Sequence, residues 1–235
     1  MKKYLLAAIC LVSLSAVAQK IVKKTQGSTK IVVKPFALKT TNDSISYAIG
    51  MMTTKSYLKQ GIKSIAPTSL NQAVKDVLAN TKTRMTEDEA EVIVLKITNP
   101  KAVSQVQSGL KFLAQNRMKP GVNTTSSGLQ YEVIREGNGV KPLITDTVEV
   151  NYFGQLTDGS EFDSSYKRGE STSFPLGGVI KGWTEGLQLM SEGSKYRLYI
   201  PHKLAYGTSD RGPKIPGGSV LIFEIELLKV IRQKV

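Results

Sequence analysis

The stretch from Val148 to Met190 reads VEVNYFGQLTDGSEFDSSYKRGESTSFPLGGVIKGWTEGLQLM, and its patterning decides the fold. It opens in period two: Val148, Val150 and Tyr152 fall on one face, Glu149, Asn151 and Phe153 on the other. That alternation is the mark of a half-buried strand. Asp158-Gly159 supplies a hairpin turn, because glycine at positive φ reverses the chain without a Cβ clash, and Glu161-Phe162-Asp163 reads as the returning strand. Beyond Gly177-Gly178 and Val179-Ile180 the period becomes helical, with Trp183, Leu187 and Met190 at i, i+4 and i+7. The single Trp of the chain therefore faces the sheet from the first turn of a short helix. The expected class is α+β: a curved antiparallel sheet wrapped on one short amphipathic helix. Aromatic rings lining such a concavity serve either a small-ligand pocket or an ordinary core, and pattern alone favours the core.

Working outward toward the C-terminus, Tyr196, Leu198 and Ile200 alternate as a further strand. HKLAYGTSDRGPKIPGGS, beginning at His202, is a long loop dense in Gly and Pro, and Leu221, Phe223, Ile225 and Leu227 alternate in the last strand. Many chemistries fail for want of parts. His202 is the only histidine, so no histidine cluster exists for zinc and a Ser-His-Asp triad would have to use it; its place in a loop makes it an expected surface residue. No phosphate-binding loop and no GxGxxG at a strand–helix junction is present. Asp158 and Glu161 sit at a hairpin tip, where paired carboxylates are solvated. No metal and no cofactor is expected.

Toward the N-terminus, residues 1–18 have the form of a secretory signal: Lys2-Lys3, an apolar run from Leu5 to Leu14, then Ala16-Val17-Ala18 as a small-residue cleavage site. The run is too short to span a bilayer, and no transmembrane segment is expected elsewhere. Cys10, the only cysteine, would leave with the signal, and a lipid anchor there is disfavoured by Ile9 before it. Of the formal net charge of +13, two units belong to Lys2 and Lys3. Lys20 to Asn42 carries six lysines and no acid, so residues 19–41 read as a basic linker, expected to be disordered. Residues 122–235 hold thirteen basic and thirteen acidic side chains. A neutral C-terminal half argues against nucleic acid as a partner, which asks for a basic face.

Residues 42–121 read as helical. Asn42-Asp43-Ser44 is expected to cap a helix carrying Ile45, Ile49 and Met52, and Pro67-Thr68-Ser69 starts a second with Leu70, Ala73, Val74, Val77 and Leu78 on one face. Thr86-x-x-Glu89 is a capping box ahead of AEVIVLKI. Asn99-Pro100 should end that helix, since proline blocks the helical bond and restricts its predecessor. A fourth helix carries Val103, Val106, Leu110 and Leu113 and stops by Pro120-Gly121. Four short helices bury only a modest core, and the run Val92 to Ile97 suits a dimer interface as well as an internal one.

YFGQLTDGSEFDSSYKRG, GGVIKGWTEGLQLM, LAYG and LIFEIELL, in that order and spacing, resemble the signature segments of the FKBP family of peptidyl-prolyl cis-trans isomerases over roughly Val122 to Ile231. SYAIG, the capping-box helix, GLKFLAQN and the SSGLQYEV junction resemble the helical N-terminal module of its secreted bacterial Mip/FkpA type. Those relatives tend to run one continuous helix where this chain has Asn99-Pro100. The resemblance implies a folding enzyme of the periplasm or the outer-membrane surface: an isomerase domain at 122–235 and a dimerisation and chaperone domain at 42–121 that makes a homodimer. Its partners would be unfolded or nascent exported proteins with Xaa-Pro bonds. It further implies that Tyr152, Phe162, Val179, Ile180, Trp183, Ile215 and Phe223 wall the pocket, with Trp183 as the floor. The Ile180 N–H and the Tyr206 hydroxyl would hold substrate carbonyls, and Asp163, partnered by Arg168 and Tyr152, would be the pocket's carboxylate. Arg211 in the flap loop would bias substrate choice. Macrolide inhibitors are implied ligands, with affinity lowered by Thr172, which stands where some eukaryotic members carry an aromatic. The rival reading is a non-catalytic chaperone that holds unfolded envelope proteins.

Overall fold

The computed structural model describes residues 37–232. The signal segment, Cys10 and nearly all of the basic linker lie outside the described residues. Two units are distinguished, Met1–Ile45 and Ser46–Val235. Helix α1 (Thr41–Lys59) opens in the first. There Thr40 Oγ1 accepts from the Asp43 N–H at 3.0 Å, while Asp43 Oδ2 accepts from the N–H groups of Thr40 at 3.0 Å and Lys39 at 3.1 Å. The helix thus starts slightly ahead of the cap expected at Asn42-Asp43-Ser44. The earlier start satisfies three otherwise orphaned N–H groups at once, which no later residue pair does.

Within the second unit follow α2 (Pro67–Leu78), α3 (Glu87–Thr98) and α4 (Pro100–Asn116). The Thr86 and Glu89 side chains close a reciprocal capping box that fixes the start of α3. Its end is fixed by Asn99, whose φ of −150° and ψ of 71° leave the helical region, with Pro100 as the first residue of α4. Proline lacks the N–H that a continuous helix needs, so two helices stand where one would otherwise run. The apolar run of α3 divides: Val92 and Leu95 pack with Val106 of α4, while Ile93 and Ile97 stay about half exposed. Neither α1 nor α2 buries a single residue fully. No helix among the described residues is long and apolar enough to cross a membrane.

The remainder is a seven-stranded sheet made of β1 (Val122–Thr124), β2 (Gln130–Arg135), β3 (Thr147–Gln155), β4 (Glu161–Ser164), β5 (Thr172–Pro175), β6 (Lys195–Ile200) and β7 (Leu221–Ile231). The strands run antiparallel in the order β1-β2-β6-β7-β3-β4, with β5 also paired to β3. A one-turn helix, α5 (Ser165–Arg168), follows β4, and α6 (Lys181–Leu189) lies in the concave face. Val148, Val150, Leu198, Ile225 and Leu227 point inward onto Leu187 of α6, all fully buried. The close approach depends on glycine. A Cβ on Gly186 would meet Leu198 Cδ1 at 2.5 Å, and one on Gly182 would overlap Ile200 Cγ2.

Period two makes Tyr199 and Ile222 outward residues, yet both are buried. The cause is α4, which lies across that face and packs Leu113 and Phe112 against Tyr199, Val220 and Ile222. Two buried amides close the seam: Asn116 Nδ2 donates to Gln130 Oε1 at 3.0 Å, and Gln130 Nε2 donates to the Leu113 carbonyl at 2.9 Å. Arg197 on β6 reaches Glu132 at 3.1 Å and Glu224 at 2.9 Å on the flanking strands. Such cross-strand charge pairs are worth a few tenths of a kcal/mol to about 1 each. They tie strands together without deciding the fold. Gly186→Val should therefore be destabilising by about 1–3 kcal/mol in urea unfolding, because the added branch has no space against Leu198.

Candidate active site

Three strands and α6 converge on one aromatic cluster. Tyr152 of β3, Phe174 of β5 and Phe223 of β7 set their rings around Trp183, with centroids 5.1, 5.5 and 5.1 Å from the indole and interplanar angles near 85°. Edge-to-face contacts of this kind add about 0.5–1.5 kcal/mol each beyond area burial. Trp183 is 4% exposed and its ring is fixed from three sides.

Phe162 joins by a backbone irregularity. Gly154 pairs with Asp163 and the next residue, Gln155, pairs with Glu161, so Phe162 is an extra residue in β4. A bulge of this kind sends two consecutive side chains to one face. Phe162 packs edge-on to Phe223 at 5.3 Å, and Asp163 turns to the same concave side. There the Tyr152 hydroxyl donates to Asp163 Oδ2 at 2.6 Å, Arg168 Nη1 donates to Oδ1 at 2.5 Å, and Arg168 Nη2 donates to the Tyr152 oxygen at 2.9 Å. The Arg168 guanidinium also lies 5.4 Å from the centre of the Tyr152 ring. Gly169, at φ 78°, ends α5 and lets Arg168 turn back over the site.

The electrostatics follow from that triangle. Burial pushes the Asp163 carboxyl up, but the hydrogen bonds from Tyr152 and Arg168 and the guanidinium charge outweigh it and hold the carboxyl below the usual range. For Tyr152, burial and the bond to Asp163 raise the phenol above its ordinary value, against a smaller lowering by Arg168. The carboxylate is thus ionised and the phenol neutral across the physiological range.

Of the residues singled out from sequence, Tyr152, Phe162, Trp183, Phe223, Val179, Ile180 and Ile215 belong to a single apolar cluster. Tyr206 and Arg211 stand on the loop above it: the Arg211 guanidinium lies 5.4 Å from the Tyr206 ring centre, and the Arg211 N–H donates to the Ile215 carbonyl at 2.8 Å. Thr172 takes a hydrogen bond from Arg168 at 3.2 Å, so that position steadies the cation. Phe174 was missed by sequence reasoning, although its place opposite Val148 puts it on the inward face. The signal was the short TSFP segment, too brief for alternation to show. His202 departs from expectation altogether. It is 4% exposed, in a one-turn 3-10 segment, with Nε2 2.9 Å from Glu91 Oε1 of α3. A loop residue is buried here because a helix from elsewhere in the chain lies over it.

Among the described residues no group of three or more His, Cys, Asp or Glu side chains could hold a metal. A cleft of about 1040 Å³ lies away from the aromatic cluster, between α1, α3 and the start of the flap loop, with Met52, Tyr57, Glu91, Leu95 and Asn99 in its walls. A site with an ionised carboxylate and a neutral phenol offers no group that titrates near neutrality. On a neutral peptide, kcat/KM should stay flat from about pH 6 to 9. Asp163→Asn should lower it modestly by freeing Tyr152. The depressed carboxyl stabilises the fold above its unfolded-state value, and that contribution is lost only as the pH falls through the folded-state value, so acid titration followed by near-UV circular dichroism should show no loss at this site near neutrality.

Comparison with known proteins gives the following. The family model described as FKBP-type peptidyl-prolyl cis-trans isomerase matches residues 139–228, and that of the domain amino terminal to it matches residues 42–133. The FKBP-type isomerase FkpA of Aeromonas hydrophila is 39% identical across 98% of this chain and 94% of that protein. A protein of Legionella longbeachae named outer membrane protein MIP is 38% identical across 83% of this chain and 88% of its own. The crystal structure of FkpA from Escherichia coli superposes with a TM-score of 0.55 at 37% identity, covering 83% of this chain and 99% of that one.

Proposed function

The chain belongs to the FKBP-type peptidyl-prolyl cis-trans isomerases, and from that premise we propose that it catalyses rotation about Xaa-Pro bonds of exported proteins in the pocket floored by Trp183. The barrier to be lowered, about 18–20 kcal/mol, comes from the partial double-bond character of the C–N bond. Resonance places negative charge on the imide oxygen, so transfer into an apolar slot disfavours the planar ground state. The twisted form has less charge separation and loses less on leaving water. A pocket that holds the twisted form more tightly accelerates the step by differential binding.

The rings of Tyr152, Phe162, Trp183 and Phe223, with Val179, Ile180 and Ile215, supply the apolar slot for the proline ring. The Ile180 N–H, at the extended residue before α6, and the Tyr206 hydroxyl, on the flap, are the donors for substrate carbonyls. Asp163 acts through position: it fixes the Tyr152 ring and takes no proton. The observation that carries this reading is the set of three edge-on rings around a buried indole, against which Leu204, Ala205 and Ile215 of the flap loop pack. Macrolides that present a proline-like ring would compete for the slot. Arg211 on the flap would favour substrates carrying negative charge near the proline.

We assign residues 42–121 to dimerisation and client holding, and 122–235 to catalysis. Support for the first comes from the apolar side chains α1 and α2 leave uncovered: Ile49, Met52, Val77 and Leu78 are 61, 67, 66 and 82% exposed. A second copy of the chain covers them in this reading. The leader at residues 1–18 would direct export, with the mature protein in the periplasm or held at the outer membrane. Prolyl isomerisation limits folding over tens of seconds or longer, so such an enzyme has work there.

The deciding experiment is a rate assay on a short Xaa-Pro peptide. Wild-type protein should accelerate it well above the uncatalysed rate. Trp183→Ala and Phe223→Ala should lose most of that, with about 3–5 kcal/mol of stability at stake in each, so native circular dichroism is checked alongside. Wild-type turnover at the uncatalysed rate sinks the reading. Independently, light scattering should give a dimer for the wild type and a monomer for the double variant Val77→Glu, Leu78→Glu; a monomeric wild type at micromolar concentration rejects the dimer.

A further inference from the structure

The flap that carries Tyr206, Arg211 and Ile215 stands on the helices. Its two stems meet where the Gly218 N–H donates to the Gly207 carbonyl at 2.9 Å. On the incoming stem, the His202 side chain is held by Glu91 of α3 at 2.9 Å. Because the carboxylate accepts, Nε2 carries the proton. Burial pushes the Glu91 carboxyl up, yet the bonds from His202 and Lys203 outweigh it and keep the group ionised. Lys203 Nζ adds ion pairs to Glu91 at 3.0 Å and Asp88 at 3.2 Å. Six residues after His202, the Thr208 carbonyl accepts from Asn99 Nδ2 at 2.7 Å. On the outgoing stem, Gln105 Nε2 donates to Ser219 Oγ at 3.2 Å. Gly218, at φ +87°, lies so close to α4 that a Cβ would meet Val106 Cγ2 at 2.6 Å.

Tyr206 therefore sits in a short bridge clamped at both ends. Toward its N-terminal side the backbone turns back on His202, whose carbonyl accepts from both Ala205 and Gly207 at 2.9 Å. Toward its C-terminal side Thr208 hangs from Asn99. Asn99 reaches it from the break between α3 and α4; in a continuous helix that residue would have helical φ/ψ and a different side-chain direction.

We propose that Glu91 and Asn99 are positioning residues for the isomerase reaction, acting through His202 and Thr208 to fix the Tyr206 hydroxyl over the pocket. The proposal rests on the reading of Tyr206 as a donor to the substrate carbonyl. A donor misplaced by about 1 Å loses much of its value in a transition state, so a clamp on its backbone matters to rate more than to binding of the ground state.

The test uses the full chain and a short neutral Xaa-Pro peptide, in a double-mutant cycle. Glu91→Ala with Asn99→Leu should lower kcat/KM about fivefold, mainly through kcat, with native near-UV circular dichroism retained. In a Tyr206→Phe background the same pair should cost less than about twofold more, since the hydroxyl it positions is already gone. Glu91→Gln keeps an acceptor for His202 and should stay within about twofold of wild type. If the double variant does not fold, Asn99→Ala alone serves, with a smaller loss that again vanishes beside Tyr206→Phe. Unchanged kcat/KM in the folded variant, or an equal loss with and without the Tyr206 hydroxyl, overturns the clamp while leaving the isomerase reading intact. A wild type without activity overturns the isomerase reading instead. The clamp is then judged by hydrogen exchange at the Gly207 amide, which Glu91→Ala should speed about tenfold; unchanged exchange overturns it.

Discussion

Everything in the C-terminal half depends on the indole of Trp183 being immobilised among rings from three strands. Its N–H has no protein partner among the described residues, and a buried unsatisfied donor costs about 1–3 kcal/mol. Three edge-on rings at about 0.5–1.5 kcal/mol apiece offset that cost. Each ring comes from a different strand, so the floor exists only after β3, β5 and β7 have found their register. The candidate site and the core are therefore one cluster.

The polar part of the site is subordinate to this. Asp163 and Arg168 are each about two-fifths exposed, so as an ion pair they add little to stability. Their value is geometric. One guanidinium nitrogen and one carboxylate oxygen fix the Tyr152 hydroxyl, and hence the ring that meets both Trp183 and Phe223. The bulge at Phe162 is what allows a carboxylate and an aromatic from adjacent positions to serve the same cavity. A regular β4 would send one of them to solvent.

Strands β3, β6 and β7, α6 and the helix break were legible because each is fixed by local patterning: period two, i to i+4 spacing, a capping box, Asn before Pro. The family resemblance then assigned Tyr152, Phe162, Trp183 and Phe223 to a pocket wall; pattern alone had left them as core, and the fold gathers them in one apolar cluster. What stayed hidden was set by tertiary contact. Tyr199 and Ile222 read as outward and are buried because α4 covers them. His202 read as a surface residue because nothing in its neighbourhood announces a helix more than a hundred positions earlier. Phe174 lies in a strand of four residues, below the length at which alternation carries information.

The break at Asn99 has an energetic logic that ties the two halves together. Placing proline inside a helix costs about 3 kcal/mol or more, so a sequence that keeps Pro100 must regain that elsewhere. As the first residue of α4 it costs little, since its absent N–H would have had no partner. The new direction lets α4 bury Val106 against α3 and Gly218, and Leu113 against Tyr199 and Ile222. Burying two such side chains returns about 1.5–3 kcal/mol each. The break is thus stabilising on balance once the sheet is in place, and unfavourable before it. Helices α3 and α4 acquire their angle from the sheet they pack on, and the loop that carries Tyr206 acquires its footing from them.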